Sequence, residues 1–352
     1  MEALWFAFAA VMVAVYFVLD GFDFGAGALH LAVAKEDRQR RQVLAAIGPF
    51  WDGNEVWLLA AGGVLFLAFP KVLASGLSGF YLAIFLVLWV LILRGAAIEL
   101  RSHTEDRMWR SFWDGIFFLA SALAPVLFGA ALGNVLRGVP VDERGWFTLP
   151  LFESFSPHPG NDGELGILDW FTVLCGVTAL VAILHHGALF LAWKTDGEVR
   201  ERSLRLAGIF FPALVALWLL ATIATARLAP EIFRALGERP LAWLATVLFL
   251  AGLSASFLAR RRGHDLVAFL GSSAFLLGVL AATAASVYPT WLKSTLDPAW
   301  SLTAQNAAAG AHSLRVGLYW WPAGFVLAIV YFTILFRMHR GKAQAAAEGE
   351  GY

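Results

Sequence analysis

Residues 4–32 read LWFAFAAVMVAVYFVLDGFDFGAGALHLA, and the fold follows from this stretch and its repetitions. Its only charged side chains are Asp20 and Asp23. A helix needs about 20 mostly apolar residues to cross the hydrocarbon core of a bilayer. The run is continuous rather than alternating, which excludes a barrel strand, and only helices or closed barrels satisfy every backbone group in lipid. Eight further runs of this kind follow, at 44–70, 75–100, 111–136, 166–193, 205–228, 241–259, 265–288 and 317–337. The expectation is an all-α integral membrane protein of about nine transmembrane helices, one transmembrane domain over 1–337 and a tail over 338–352.

Composition agrees. Of 352 residues 59% are hydrophobic and 15% charged, and mean hydropathy is +0.69. A soluble domain carries roughly a quarter charged residues and could not hide so much apolar surface. The zero net charge gives no footprint for nucleic acid. A single cysteine, Cys175, excludes an internal disulfide and a Cys-ligated cluster. Met1-Glu2-Ala3 supplies no basic n-region and the first run is too long for a signal h-region, so no cleavable signal is expected.

The loops supply orientation. With the N-terminus outside, the inner loops hold Lys35, Arg38, Arg40 and Arg41, then Arg101, Arg107 and Arg110, then Lys194, Arg200, Arg202 and Arg205, then Arg260, Arg261 and Arg262. The tail adds Arg337, Arg340 and Lys342, making 17 of the 26 basic residues; eight are outside and Arg94 is within a span. This is the positive-inside pattern, with the C-terminus cytoplasmic. The long outer loops at 137–165 and 289–316 are proline-bearing and irregular, with Trp146, Trp291 and Trp300 suited to the interface. Gly27-Ala28-Leu29-His30-Leu31 and Gly187-Ala188-Leu189-Phe190-Leu191 close spans one and five alike. A parallel repeat of two four-helix units plus one helix would produce this echo, and so would chance similarity of apolar helix ends.

Ionisable residues inside a bilayer cost about 2.5–3.5 kcal/mol each on insertion scales and need a reason. Here they gather: Asp20 and Asp23 in span one, Asp52 and Glu55 in span two, Arg94 and Glu99 in span three, and Asp114 opening span four. Each pair in spans one and two is spaced i,i+3 and shares a helix face. By helix rise, Asp23 and Asp52 lie roughly 12–14 Å from the cytoplasmic surface, with Glu99 and Asp114 nearer to it. The set predicts a proton path entering from the cytoplasm, comprising Asp23, Asp52, Glu55, Glu99 and Asp114. Asp20, Trp51, Asn54, Trp57 and Arg94 are expected to support it, Asp20 through packing or assembly. Mutual neutralisation, with Arg94 pairing one carboxylate, is the alternative. Gly21, Gly25 and Gly27 suit close helix packing. His185 and His186 are adjacent and point about 100° apart on a helix, so they cannot share one metal. No histidine or cysteine spacing suggests a haem or metal ligated by this chain.

The motifs Asp20-Gly21-Phe22-Asp23-Phe24-Gly25, Trp51-Asp52-Gly53-Asn54-Glu55-Val56-Trp57-Leu58, Arg94-Gly95 with Glu99-Leu100-Arg101, Trp109 to Asp114, and Gly133 to Pro140 resemble subunit II of the cytochrome bd-type quinol oxidases. The resemblance is strong over 15–140; beyond, only Tyr288-Pro289 and Ser301-Leu302-Thr303 carry it. It implies a heterodimer in the bacterial cytoplasmic membrane with a haem-bearing subunit I that holds two haems b, one haem d or a variant, and the quinol site. It implies reduction of oxygen to water with cytoplasmic protons, generating a proton-motive force without pumping. Subunit II of this family ligates none of the haems, some members hold a bound quinone in it, and a small single-span subunit is an additional partner to consider beside lipid. The cyanide-insensitive branch shares the motifs. Asp23 and Asp52 match family positions associated with proton delivery, with Trp51 their neighbour. Two other classes compete with this expectation: a proton-coupled secondary transporter, and a membrane cytochrome carrying its own haem.

Overall fold

The computed structural model describes residues 1–159 and 165–345; the end of the tail, 346–352, falls outside the described residues. Among the described residues twelve α-helices form: α1 (Glu2–Val33), α2 (Asp37–Ile47), α3 (Trp51–Ala68), α4 (Pro70–Gly79), α5 (Tyr81–Leu100), α6 (Arg107–Arg137), α7 (Trp170–Lys194), α8 (Gly197–Leu228), α9 (Pro230–Glu238), α10 (Pro240–Arg261), α11 (Asp265–Val287) and α12 (Ala311–Met338). Eight are long and apolar enough to cross a membrane, and α3 with α4, bent by 120°, makes a ninth if counted as one span. Large apolar side chains such as Leu59, Phe66 and Leu327 are exposed on the outside of the bundle, as a membrane-embedded surface requires.

The second expected span, 44–70, is corrected. Gly48 and Pro49 end α2 at Ile47, and α3 begins only at Trp51. Proline cannot continue the helical ladder, so the apolar end of the amphipathic helix α2 does not join α3. Pro70 breaks the chain again: Phe69 takes φ −137° and ψ 56°, because the proline ring disfavours the helical region at the preceding residue. Residues 75–79 therefore belong to α4, and the third span starts at Tyr81 rather than 75. The fifth starts at Trp170 rather than 166, set by a capping box between Asp169 and Thr172. The sixth starts at Gly197, so Arg200, Arg202 and Arg205 ride on α8 rather than in a loop. The loop after α11 is irregular as expected, apart from a short antiparallel pair, β1 (Thr290–Leu292) and β2 (Leu302–Thr303).

Helix α1 is central and packs against α3, α6, α7 and α11. Glycine permits its approach to α7: a Cβ on Gly25 would sit 2.6 Å from Gly187 Cα, and one on Gly187 would overlap Gly25 in return. Gly187→Val is expected to lower stability by about 1–3 kcal/mol through overpacking. Thermal denaturation of the purified protein checks this, and an unchanged midpoint would show that the two helices can part without loss. The proline break after α3 recurs after α8, where Ala229 takes φ −137° and ψ 64° before Pro230. Pro70 and Pro230 are separated by the same interval as Gly27 and Gly187.

Candidate functional site

Asp20 and Asp23 share one face of α1 and are fully buried, as is Arg94 of α5. Arg94 reaches α1 and α3 together. Its Nη1 donates to Asp20 Oδ1 at 2.5 Å and its Nη2 to Glu55 Oε1 at 2.5 Å, while its guanidinium lies 4.3 Å from the centre of the Phe24 ring. Asn54 of α3 donates through Nδ2 to Asp23 Oδ2 at 2.7 Å and to the Leu19 carbonyl at 3.2 Å. Two carboxylates thus pair with one guanidinium, with Asp23 one turn from Asp20, in a medium where an uncompensated charge is expensive. Among the described residues, Asp23 Oδ1 and Asn54 Oδ1 are buried with no hydrogen-bond partner.

A second cluster lies nearer the α2 end. Asp114 of α6 is buried and accepts from Arg101 Nε at 2.6 Å and Arg40 Nη1 at 2.7 Å, and it bonds His30 Nε2 at 2.7 Å. Arg101 Nη2 also donates to Asp37 Oδ1 at 2.8 Å, and Arg41 and Arg110 pair with the same carboxylate. Partial burial pushes the Asp37 carboxyl up, but the Arg101 hydrogen bond and the charges of Arg101, Arg110 and Arg41 outweigh it and hold Asp37 below the usual carboxylate value. Helix α2 carries Asp37, Arg40 and Arg41, and a capping box between Glu36 and Gln39 fixes where it starts.

The single acidic track expected from sequence is therefore two clusters. Asp20, Asp23, Asn54, Glu55 and Arg94 converge in one, and Asp114 anchors the other. Asp52 belongs to neither: it lies in the first turn of α3 and is exposed, and Asn54, two residues on, is the α3 side chain that meets Asp23. Its expected place eight residues inside a span assumed a helix running unbroken from 44, which Pro49 prevents. Glu99 is exposed near the end of α5. Trp51 is half-buried with its ring against Gly95, and Trp57 is buried beside Phe325 and Phe332 of α12. His30, Arg40 and Arg101 were read only as span-end or loop residues. The seven-residue step from Asp23 to His30, which returns to one helix face, was the available signal.

His185 and His186 turn to different neighbours. His185 Nδ1 bonds the Ala207 carbonyl on α8 at 3.1 Å. His186 bonds Ser272 Oγ on α11 at 2.7 Å and the Val18 carbonyl on α1 at 2.9 Å. Among the described residues no group of three His, Cys, Asp or Glu side chains is placed to hold a metal ion.

Fold and site together define a polytopic helical membrane protein with two buried acids on α1, one of them ion-paired to an arginine from another helix. Similarity to known proteins narrows the class. Residues 1–339 match the family described as cytochrome bd terminal oxidase subunit II, and the chain belongs to that family. It is 32% identical over 320 residues to cytochrome bd ubiquinol oxidase subunit 2 of Bacillus subtilis, covering 89% of this chain and 88% of that one. It is 31% identical over 360 residues to cytochrome bd-I ubiquinol oxidase subunit 2 of Escherichia coli K12, covering 94% and 91%. Its fold superposes on a chain of the bd oxidase from Geobacillus thermodenitrificans with a TM-score of 0.73 at 18% identity, over 96% and 98% of the two chains. The protein is a multi-pass subunit of a quinol:oxygen oxidoreductase, and none of these similarities supports a transporter.

Proposed function

We propose that this subunit delivers cytoplasmic protons towards the oxygen-reducing centre of its complex, with Asp23 as the inner carrier. In this reading the α2 end faces the cytoplasm of a bacterial cell, the N-terminus is outside, and subunit I holds two haems b and a haem d or variant. Those haems supply the electron transfer and oxygen chemistry. One observation carries the proposal: Asp23 is fully buried, is held through one oxygen by Asn54, and has its other oxygen without a protein partner. Asp20 by contrast is ion-paired with Arg94, whereas Asp23 is held only by the neutral amide of Asn54. Asp114 belongs at the cytoplasmic side of the path. Glu55 links the surface to Arg94, with the exposed Asp52 one turn before it on α3 and the exposed Glu99 near the end of α5. Asp20, locked to Arg94, supports the assembly. The matching proline breaks and α1–α7 contact favour two parallel four-helix units, of which only the first carries these acids.

The test is Asp23→Asn in the assembled complex. Oxygen reduction is expected to fall roughly tenfold, equivalent to about 1.4 kcal/mol in the barrier. Anaerobic haem reduction by quinol should proceed at the normal rate. Wild-type turnover in the assembled variant would remove Asp23 from the path.

A further inference from the structure

We infer that protons reach Asp23 through His30 and Ser121, along the α1–α6 contact. This deepens the proposed function and rests on Asp23 being the inner carrier.

Tyr16, Asp20, Asp23, Gly27 and His30 follow one another at steps of four, three, four and three residues, so all five lie on one face of α1. Helix rise separates Asp23 from Gly27 by about 6 Å and Gly27 from His30 by about 4.5 Å. The middle position lacks a side chain, and α6 supplies one there. A Cβ on Gly27 would overlap Ser121 Oγ, so this hydroxyl lies against α1 between the levels of Asp23 and His30. Ser121 is fully buried and its hydroxyl finds no protein partner. Ser203, Thr225 and Ser286, also in helices, each donate to the carbonyl four residues back, which is the ordinary fate of such a hydroxyl. His30 is likewise half-engaged: Nε2 bonds Asp114, and the buried Nδ1 has no protein partner.

Three unpartnered polar atoms, His30 Nδ1, Ser121 Oγ and Asp23 Oδ1, therefore occur in order along about 11 Å of one helix face. Buried polar groups are rarely left unbonded. A single water between successive members, making two hydrogen bonds of about 2.8 Å, spans steps of about 5 Å and satisfies both neighbours. The outer end opens where α2 meets the bundle: Asp114 is bonded to Arg40, whose side chain is 27% exposed. The charged groups facing His30 are Asp114 on α6, Arg101 after α5 and Arg40 on α2. When Asp114 is protonated it can pass its proton to His30 Nε2 while Nδ1 releases one towards Ser121; the ring is left as its Nε2–H tautomer, and a ring flip resets it for the next transfer. At the interval relating Gly27 to Gly187, the α7 counterparts of Asp20, Asp23 and His30 are Leu180, Ile183 and Phe190.

The discriminating variants are His30→Gln, which keeps a hydrogen-bond donor for Asp114 but cannot carry a proton, and Ser121→Ala, which deletes one oxygen from a packed site. Each is assayed in the assembled complex for oxygen reduction, for anaerobic haem reduction by quinol, and for proton uptake by a pH-indicating dye in a single turnover. Both are expected to slow oxygen reduction and proton uptake by the same factor, roughly fivefold to tenfold, with haem reduction unchanged. Wild-type proton uptake in both variants, with Asp23→Asn still slow, would overturn the His30–Ser121 route and leave Asp23 in place. If all three were normal, both proposals would fall. Slow uptake in Asp52→Asn with normal uptake in His30→Gln would place the entry at Asp52 instead. Should His30→Gln not assemble, Ser121→Ala decides alone.

Discussion

Replacing Arg94 with leucine is expected to cost about 3–5 kcal/mol, enough to abolish most recovery of folded subunit. The guanidinium is fully buried and pairs with Asp20 on α1 and Glu55 on α3, so it ties three helices at one point. Removing one partner of a buried pair leaves the other charge desolvated and uncompensated, and that penalty exceeds the net value of the pair itself. Here Asp20 would be stranded at zero exposure, with Asp23 one turn away on the same face. Arg94→Lys should recover part of the loss, because an ammonium restores the charge but cannot reach two carboxylates with a planar fork. Asp20→Asn in the Arg94→Leu background should recover more, since it removes the stranded charge. Yield of the co-purified complex and its thermal midpoint report all three. A leucine variant as stable as the wild type would show that the acids are neutralised by something other than Arg94.

The second large effect is expected for Asp114→Ala. This carboxylate, 1% exposed, satisfies Arg101, Arg40 and His30 at once. Its loss leaves the buried Arg101 with only Asp37, which is itself shared with Arg41 and Arg110. A loss of about 3–5 kcal/mol follows from the broken buried pairs. It should be local, because the lost Arg40–Asp114 pair is one of two that tie α2 to α6, the other being Asp37–Arg110. Limited tryptic cleavage at Arg38 and Arg40 and faster amide exchange across α2 would show it, while α7 and α11 stay protected. Asp114→Asn keeps an acceptor oxygen and should loosen α2 less. Unchanged protection of α2 in the alanine variant would mean that its apolar contacts suffice; Val43, Leu44 and Ile47 are all buried.

The membrane spans were legible because lipid demands a continuous apolar run and tolerates few charges. The family resemblance was legible in the motifs of α1, α3, α5 and α6. The breaks were not read, although Pro49 and Pro70 are in plain view: Val43 to Ile47 are apolar enough to merge with the following span. The merged run placed Asp52 within a helix, whereas it stands in the first turn of α3. Azimuth was the larger gap. A run apolar on nearly every side does not say which face turns inward, so Asp23 and Asp52 looked equivalent when one is buried and the other exposed.

By itself, the sequence determined that the chain is a helical membrane protein, which residues carry charge into the apolar runs, and which family those motifs belong to. Each follows from composition and order along one dimension. Only the tertiary structure decided that Arg94 joins Asp20 to Glu55, that Asn54 rather than Asp52 meets Asp23, and that His30 is sealed against Asp114 by α2 and α6. Those are contacts between helices distant in sequence. What brings them together is the need to compensate buried charge, which nearest neighbours along a helix do not reveal.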